Sequence, residues 1–406
     1  ELKSLNENLP SSTSMTLTGG KIWGEVSESF LSTLKNNLTA GGKTYRPVSL
    51  WINWPVTDNS KQHLILGGGE KFLHPNVDPS LLSGIMLNPM QQSEPSKIAL
   101  FSGAQYSWKQ WKSEEEAKKI NDIAFNFVEN GHFEDSKVSA AFRELGKHMI
   151  NQNMDGRVVK LEESVDLAPK LTDFMTKLKA GQDVTAERAA LRAEFAKIKE
   201  AAELYKASGD QKMVAQIHYW LDNAIDQMNA LDAFLTGTEA MATNDAAKLW
   251  DSYYKGLKFY EQSQTHTFHY VDHLEKAELG VQHIRPFILS LKEVLASEVQ
   301  KVLHPDQIIS TFITNRTGVE GGLAEVTDGD LATHAIIKSP NSIKTGDYIG
   351  MKFNKPVAVQ TLTFAMGTQA NPRDTFSKAE VQYLDENDNW VTLKEPSYVG
   401  NESLLK

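Results

Sequence analysis

The sequence predicts a multidomain protein with three consecutive parts: a β/α region, an α-helical bundle and an antiparallel β-sandwich. Residues 1–110 alternate short apolar runs with polar loops and helix-length segments. Residues 111–303 contain few prolines and place apolar residues at helical spacing. Residues 304–406 contain short β-branched and aromatic runs separated by Gly, Asn, Asp and Pro. We therefore expect parallel strands in the first part and antiparallel strands in the last.

The composition sets limits on size, partners and chemistry. The chain has 406 residues, a formal net charge of -10 and no cysteine. This length allows two or three domains with a sizeable core. The negative charge argues against nucleic acid or an anionic membrane surface as a partner, and no apolar stretch of about 18 residues is present to span a membrane. The lack of cysteine excludes disulfides, thiolate catalysis and cysteine-bound zinc.

The β/α region is organised around the run VSLWINWP, which ends at Pro55. This apolar, tryptophan-rich run predicts a strand, and the polar segment after it predicts a loop. A second apolar run, at residues 82–87, is followed by a polar residue, Asn88, and then by a proline. Between the two runs, residues 60–66 are expected to form a short helix that the glycines at 67–69 end. Such a strand-helix-strand unit has parallel strands.

Polar side chains at the ends of these two strands form a candidate ligand site. Asn53 and Asp58 follow the first strand, and Asn88 follows the second. Because ligands gather at the carboxyl ends of parallel strands, these side chains are expected at one edge. Amide and carboxylate groups bind sugar hydroxyls, and the ring of Trp51 or Trp54 can cover the C–H face of a sugar. The alternative for each residue is structural, because tryptophans in an apolar strand are usually core and Asn before Pro is usually a turn.

Four segments of this region, taken in their order along the chain, carry a resemblance to a known family: WINWPVTD, HLILG, LNPM and SEPSKIALFSGAQYSW. From about residue 15 to residue 108, they resemble the closing part of the catalytic barrel of glycoside hydrolase family 84, which contains bacterial β-N-acetylglucosaminidases, hyaluronidase-like enzymes and O-GlcNAc hydrolases. The resemblance implies that residues 1–110 are the last three units of a (β/α)8 barrel. It also implies that Asn53, Asp58 and Asn88 bind hydroxyls of the terminal sugar and that Trp51 lines the pocket of its acetamido group.

The sequence departs from the family pattern in the pocket and in the chemistry. Ile52 stands where many bacterial relatives have a second tryptophan, and Leu17 stands where the family often has tryptophan. The family uses two adjacent aspartates at an earlier strand end. One orients the acetamide of the substrate as it attacks the anomeric carbon, and the other is the general acid and base. The sequence contains no Asp-Asp pair, so no catalytic residue is assigned in this chain.

The resemblance therefore implies the C-terminal portion of a retaining, substrate-assisted β-N-acetylglucosaminidase, inactive by itself, with the Asp pair and five earlier strands upstream of Glu1. The expected partner is a glycan or glycoprotein with terminal N-acetylglucosamine, and catalysis is expected to need no cofactor. A secreted or cell-surface bacterial location is also implied. Two alternatives without catalysis stay open: a carbohydrate-binding protein with a helical stalk, and a cell-surface interaction protein.

The helical bundle is predicted for residues 111–303, where Pro169 and Pro286 are the only prolines. Ser113 followed by three glutamates predicts a helix start with a capping box. Turns are expected at 181–183 and 208–210, and a last helix at about 282–302. Apolar residues at alternating gaps of three and four predict two buried seams, formed by Leu191, Phe195, Ile198, Ala202 and Tyr205, and by Val214, Ile217, Leu221, Ala224, Met228, Leu231 and Leu235.

Three histidines in the bundle have the spacing of one helical face: His266, His269 and His273. Together with Asp272 they could hold a metal ion. The sequence favours a polar stripe instead, because no established metal motif is present.

Residues 304–406 are predicted to form an antiparallel β-sandwich. GGLAEVTDGDLATHAIIKSP and the segments after it resemble the discoidin-like (factor V/VIII type C) fold over about residues 308–393, which implies a carbohydrate-binding-like module that is cut short. Asp328, Asp330 and Thr333 offer hard oxygen ligands in a glycine-containing loop, as calcium prefers, so we expect a structural calcium site there. An Asx turn with Gly329 at positive φ is the equally weighted alternative.

Overall fold

The structure is a computed structural model. It describes residues 2–10, 12–58, 61–150, 159–316, 319–320, 323–327, 333–337, 344–359, 362, 364–367, 379–385 and 389–393. The chain divides into two compact units, one covering Glu1–Pro305 and one beginning at Asp306. The described residues are mostly helical, with small sheets. None of their helices combines the length and the apolar character that crossing a bilayer requires.

A three-stranded sheet lies near the start of the first unit. Its strands, in spatial order, are β1 (Thr16–Leu17), β2 (Val48–Pro55) and β3 (Leu82–Asn88). β2 pairs in parallel with β1 on one side and with β3 on the other. The predicted parallel arrangement of these strands is confirmed, and it brings the carboxyl ends of β2 and β3 to one edge.

Helices accompany the strands of this sheet, but one of them differs from the prediction. They are α1 (Leu2–Asn8), α2 (Glu28–Thr39), α3 (Gly69–Phe72) and α4 (Ser93–Trp108), with a 3-10 turn at Pro79–Leu81. The helix predicted at 60–66 is wrong, because residues 61–68 are not helical and α3 begins at Gly69. Gly68 has a φ of 80°, and a Cβ there would lie 2.5 Å from Leu161 Cδ2, so this glycine starts the helix where a side chain does not fit.

One face of β2 is part of the hydrophobic core. Its buried residues are Val48, Leu50, Ile52 and Trp54. They belong to the same core as the buried leucines of α2 and the apolar residues of α4. Trp54 stacks on Phe72 of α3 with ring centroids 6.0 Å apart, and its indole N–H donates to the Gly67 carbonyl at 2.9 Å. The polar atom of this large buried side chain is therefore satisfied.

The described part of the bundle contains seven further helices: α5 (Glu114–Asn130), α6 (Lys137–Gly146), α7 (Ala168–Lys179), α8 (Thr185–Ser208), α9 (Gln211–Thr243), α10 (Ala246–Ser263) and α11 (Ile284–Leu303). The Ser113 cap is confirmed, since its hydroxyl accepts from the Glu116 backbone N–H at 3.1 Å. The Glu116 carboxylate accepts from the Lys112 N–H at 2.7 Å, one residue earlier than a capping box requires. The two predicted seams are buried in α8 and α9, with Val214 half-buried.

The segment between α10 and α11 is not helical. It forms an antiparallel hairpin of β4 (Thr267–Tyr270) and β5 (His273–Lys276). The predicted histidine stripe is therefore wrong, because His269 and His273 lie on different strands and His266 precedes both. His266 Nε2 lies 2.7 Å from Asp226 Oδ2 of α9. Within the ranges given above, no group of three His, Asp or Glu side chains could hold a metal ion.

The sheet and the bundle share one hydrophobic core. The indole N–H of Trp220 in α9 donates to the Gln62 carbonyl at 2.9 Å, and the Glu278 N–H donates to the same oxygen at 2.7 Å. The Glu94 N–H at the start of α4 donates to Gln216 Oε1 of α9 at 2.8 Å. Residues 1–110 and 111–303 are consequently parts of one compact unit.

The second unit is built from antiparallel strand pairs in its described part. Its elements are β6 (Ser310–Thr314), β7 (Val319–Glu320), α12 (Leu323–Thr327), β8 (Ile336–Ile337), β9 (Ile349–Phe353), β10 (Gln382–Leu384) and β11 (Trp390–Thr392). β6 pairs with β9, β7 with β8 and β10 with β11. These strands form separate two-stranded pairs, so the predicted β-sandwich stays a prediction.

Candidate functional site

The face of the parallel sheet opposite the core is open. Trp51 and Met86 are register partners on β2 and β3, and each side chain is 40% exposed. They alternate along their strands with side chains that face the core, as the two-residue period of a strand requires. Asn53 and Asn88 follow at the carboxyl end of the same two strands. An aromatic ring and two amides therefore meet at the predicted edge.

Direct hydrogen bonds hold these residues together. Asn53 Oδ1 accepts from Trp51 Nε1 at 2.7 Å and from Asn88 Nδ2 at 3.0 Å. Asn53 Nδ2 donates to the Ile22 carbonyl, just beyond β1, at 2.6 Å. Because one side of this amide faces two donors and the other faces a carbonyl, its orientation is fixed. Of the four predicted site residues, the structure thus brings Trp51, Asn53 and Asn88 into one cluster.

The fourth predicted residue, Asp58, follows β2 in the chain. It is exposed, in the loop three residues after β2. Burial raises the pKa of the Tyr270 phenol, and the negative charges of Asp58 and Glu275 raise it further. Asp58 is therefore close enough to the β4–β5 hairpin to act on Tyr270 electrostatically.

Sequence reasoning missed the residues that connect this edge to the hairpin. Gln91, three residues after Asn88, hydrogen-bonds the hairpin backbone at His269 and Val271. Lys61, three residues after Asp58, places its ammonium 5.1 Å from the ring centroid of Tyr270. The alternation of polar and apolar residues in THTFHYVDHLEK was the signal that could have revealed these strands.

The predicted calcium site cannot be assembled from the described residues. Asp328 and Asp330 lie outside them. Thr333 is described, and its hydroxyl lies 3.5 Å from the Glu325 carbonyl, at the limit for a hydrogen bond. Calcium binding at these three residues stays a prediction.

Two family models match the first unit. The model for beta-N-acetylglucosaminidase matches residues 1–146. A second model, hyaluronidase post-catalytic domain-like, matches residues 166–266. The first match contains the parallel sheet with the cluster of Trp51, Asn53 and Asn88, and the second contains α8 and α9.

Solved structures resemble the chain over about three quarters of its length. CpGH84D is 24% identical with a TM-score of 0.64, and the alignment covers 73% of this chain and 47% of that protein. CpGH84B is 22% identical with a TM-score of 0.56, covering 71% and 46%. A mutant O-GlcNAc hydrolase of Thermobaculum terrenum is 18% identical with a TM-score of 0.56, covering 75% and 60%. The chain thus spans about half the length of the first two proteins.

Together, the sheet, the bundle and these similarities define the class of the protein as a glycoside hydrolase-like fold. More particularly, the fold is like that of glycoside hydrolase family 84. The chain also matches both the beta-N-acetylglucosaminidase model and the hyaluronidase post-catalytic domain-like model.

Proposed function

We propose that this chain is the C-terminal portion of a retaining, substrate-assisted β-N-acetylglucosaminidase acting on terminal N-acetylglucosamine of glycans or glycoproteins. The observation that supports it most is the hydrogen-bonded cluster of Trp51, Asn53 and Asn88 at the carboxyl edge of a parallel sheet. This edge is where barrel enzymes bind their substrates. In this proposal Asn53, Asp58 and Asn88 hold sugar hydroxyls, and Trp51 lines the acetamido pocket.

We also propose that the sheet is part of a (β/α)8 barrel completed by earlier strands. Parallel sheets are normally covered on both faces. Here β2 is buried on its core face, while Trp51 and Met86 are exposed on the other. Further strands curving over that face would cover the side chains of Trp51 and Met86 and enclose Asn53 and Asn88.

In this proposal, the residues that bind the sugar belong to this chain, and the residues that transfer protons belong to the earlier strands. In family 84, one aspartate of the pair orients the acetamide of the substrate, whose oxygen attacks the anomeric carbon, and the other aspartate, as general acid, protonates the leaving oxygen. No Asp-Asp pair occurs in the sequence. Residues of this chain would bind and orient the sugar, which lowers the barrier by positioning the acetamide for attack.

An activity comparison tests the proposal. Residues 1–406 alone are expected to show no turnover of 4-nitrophenyl β-N-acetylglucosaminide, whereas the complete gene product hydrolyses it. Asp58→Ala in the complete product should reduce kcat/KM by about 100-fold if the carboxylate binds a sugar hydroxyl in the transition state. Asp251→Ala, an exposed aspartate on α10, is the matched control. Equal turnover by residues 1–406 and by the complete product would overturn the proposal.

A non-catalytic carbohydrate-binding function is the second candidate, and one feature of the second unit favours it. Tyr348 and Trp390 are both exposed, with ring centroids 6.1 Å apart. Adjacent exposed aromatic rings form a surface on which sugars stack. On a glycan array, this function predicts that Trp390→Ala abolishes binding by the whole chain and that Asp58→Ala has no effect. The reverse result would reject it.

Three further features are proposed. Secretion or attachment to a bacterial surface rests on the resemblance alone. A discoidin-like fold for residues 304–406 rests on the resemblance and on the pattern of short strands, and a structural calcium ion at Asp328, Asp330 and Thr333 rests on their hard oxygen ligands in a glycine-containing loop. The calcium site is testable by thermal unfolding. Addition of calcium to chelator-treated protein should raise the Tm of the second unit, and Asp330→Ala should remove that increase.

A further inference from the structure

The loop between β3 and α4, residues 89–92, connects the candidate sugar site to the helical bundle. It begins directly after Asn88, whose Nδ2 donates to Asn53 Oδ1 at 3.0 Å. It ends at Ser93, the first residue of α4. Because this connection is short, the contacts of the loop determine how firmly the end of β3, and with it Asn88, is held.

The middle of the loop, Met90, is buried and is held from within the sheet region. Its N–H donates to Ser96 Oγ of α4 at 3.0 Å, and its sulfur accepts from the Ile65 N–H at 3.3 Å. Ile65 belongs to the segment that follows β2. These two bonds leave the next residue of the loop, Gln91, directed toward the bundle.

Gln91 attaches the loop to the β4–β5 hairpin. Its Nε2 donates to the His269 carbonyl at 2.6 Å, and its Oε1 accepts from the Val271 N–H at 3.0 Å. Both polar atoms of one amide are therefore used on a single stretch of hairpin backbone, which fixes the orientation of the amide. Because Gln91 is exposed, we expect these bonds to matter more for local order than for the stability of the whole unit.

The hairpin is itself fixed to α9, so it is a firm attachment for Gln91. Phe268 on β4 is buried, and its ring lies 4.5 Å from that of Trp220 in α9. Just before β4, His266 Nε2 lies 2.7 Å from Asp226 Oδ2 of the same helix. The position of the hairpin backbone is thus determined by the core of the bundle.

A second glutamine, Gln216 of α9, holds the other end of the loop. Its Oε1 accepts from the Glu94 N–H at 2.8 Å, and its Nε2 donates to Ser93 Oγ at 3.0 Å. Both groups lie in the first turn of α4, where backbone N–H groups have no partner within the helix. The loop after β3 is consequently attached to the bundle at both ends, each time through a glutamine amide.

We propose that Gln91 is a positioning residue for Asn88, through which the bundle controls the affinity of the sugar site. Without its two hydrogen bonds, the residues after β3 lose their attachment to the hairpin. Asn88 then samples orientations in which its amide does not face Asn53 and a bound hydroxyl together. This inference rests on the proposed function, because it uses the assignment of Asn88 to a hydroxyl of the terminal sugar.

A double-mutant cycle in the complete gene product tests the inference. Gln91→Ala is expected to reduce kcat/KM for 4-nitrophenyl β-N-acetylglucosaminide by about fivefold. In an Asn88→Ala background, the same change should cost less than about twofold, because the side chain that Gln91 positions is already absent. A merely structural role of Gln91 would instead reduce kcat/KM by the same factor in both backgrounds.

Two further variants separate the hydrogen bonds from the size of the side chain. Gln91→Glu keeps the length of the side chain but places a carboxylate oxygen against the His269 carbonyl, so it should behave like Gln91→Ala. Gln262→Ala removes an exposed glutamine from α10 and should leave kcat/KM unchanged. Wild-type activity in Gln91→Glu would show that the two hydrogen bonds are not needed.

Hydrogen exchange gives a readout that does not depend on activity. The Met90 amide should exchange about fivefold faster in Gln91→Ala than in wild type, and at the wild-type rate in Gln262→Ala. Unchanged exchange in Gln91→Ala, or equal losses of kcat/KM in the two backgrounds of the cycle, would overturn the inference and leave the proposed function standing. If the wild-type complete product does not hydrolyse the substrate, the proposed function is wrong and the inference fails with it.

Discussion

At the carboxyl end of β2, one amide side chain organises its neighbours. Asn53 accepts hydrogen bonds from Trp51 and Asn88 and donates one to the loop after β1 at Ile22. Strands β2 and β3 and the loop after β1 are thereby connected through a single residue, and the ring of Trp51 is held in one orientation. A site that binds a sugar by several weak contacts depends on this kind of fixed geometry.

Replacing Asn53 should therefore affect binding more than stability. Asn53→Ala is expected to weaken binding of N-acetylglucosamine to the complete gene product by at least about tenfold, because Trp51 and Asn88 lose their shared acceptor. The free energy of unfolding should fall by only about 1 kcal/mol, since the groups left behind are partly exposed and can bind water. Calorimetric titration and urea unfolding measure the two effects.

Ser49 provides the matched control on the same sheet face, because its hydroxyl lies 3.0 Å from that of Ser83, far from the carboxyl edge. Ser49→Ala should change sugar affinity by less than about twofold. A similar loss of affinity in both variants would show that Asn53 acts only through general stability.

Glu144 gives a pH-dependent prediction at the residue scale. Burial alone would raise the pKa of this carboxyl, but His148, Lys147 and Lys197 together hold it well below its usual range. The lysine ammonium groups lie 2.7 Å and 2.9 Å from Glu144 Oε2, whereas His148 Nε2 is 3.9 Å from Oε1, too far for a hydrogen bond. The two lysines are therefore the main partners of the ionised carboxylate.

Because the folded state lowers the pKa of Glu144, its contribution to stability is present above the pKa of the unfolded state, about 4.3, and is lost as the pH falls toward the folded value. Glu144→Gln should reduce the free energy of unfolding by about 2 kcal/mol at pH 7. The difference from wild type should shrink at pH 3.5. Urea unfolding at both pH values measures it.

The control for Glu144 is Glu203, an exposed carboxylate 3.7 Å from Lys199 on the surface of α8. Glu203→Gln should change stability by less than about 0.5 kcal/mol at either pH. A Glu144→Gln effect that is as small as this, or that grows on acidification, would contradict the assigned role of the lysines.

At the scale of secondary-structure elements, the sequence predicted the features that interactions between nearby residues determine. The seams of α8 and α9, the cap at Ser113 and the parallel pairing of β2 with β3 follow from periodicity, capping chemistry and strand length. The edge position of Asn53 and Asn88 followed from that pairing, and the structure brings both residues together with Trp51. These features depend on residues close to one another along the chain.

The elements that were missed depend on distant contacts. The β4–β5 hairpin has only four residues in each strand and is held by Trp220, Gln62 and Gln91, which are far away in sequence. The start of α3 depends on Leu161, which approaches Gly68 too closely for any side chain. These long-range contacts have no local signature, although the alternation of polar and apolar residues in THTFHYVDHLEK does favour the two strands themselves. The relation of Asp58 to Tyr270 was unpredictable for the same reason.

The contact of α9 with α10 gives a prediction at this scale. A Cβ on Gly256 of α10 would lie 2.3 Å from Cε1 of Phe234 in α9, and Phe234 is fully buried. Gly256→Ala gains about 1 kcal/mol of helix propensity but forces the two helices apart. We expect a net loss of about 1–3 kcal/mol in the free energy of unfolding.

Gln262→Ala, at an exposed position of the same helix, raises helix propensity without a clash and should change stability by less than about 0.5 kcal/mol. Thermal and urea unfolding of both variants provide the measurement. Stabilisation by Gly256→Ala would mean that α9 and α10 are packed less closely than the structure indicates.

At the scale of the molecule, the boundary that matters for stability lies near residue 305. The sheet with the candidate sugar site and the bundle belong to one hydrophobic core and one compact unit. Backbone hydrogen bonds reinforce this, since Leu66 N–H donates to the Met149 carbonyl at 2.9 Å and Glu278 N–H to that of Gln62 at 2.7 Å. The bundle therefore supports the site directly, both through its core and through the hairpin.

Because the core is shared, we expect a cavity in the bundle to destabilise the sheet that carries the candidate site as well. Phe234→Ala removes a fully buried ring from α9 and should cost about 3–5 kcal/mol. The shared core leads us to expect that residues 1–305 unfold as one cooperative unit, so hydrogen-exchange protection of the β2 amides should fall by the same free energy as that of α9. The β9 amides, in the second unit, serve as the internal control and should keep their protection. Unchanged protection of β2 would instead mean that the sheet and the bundle unfold separately.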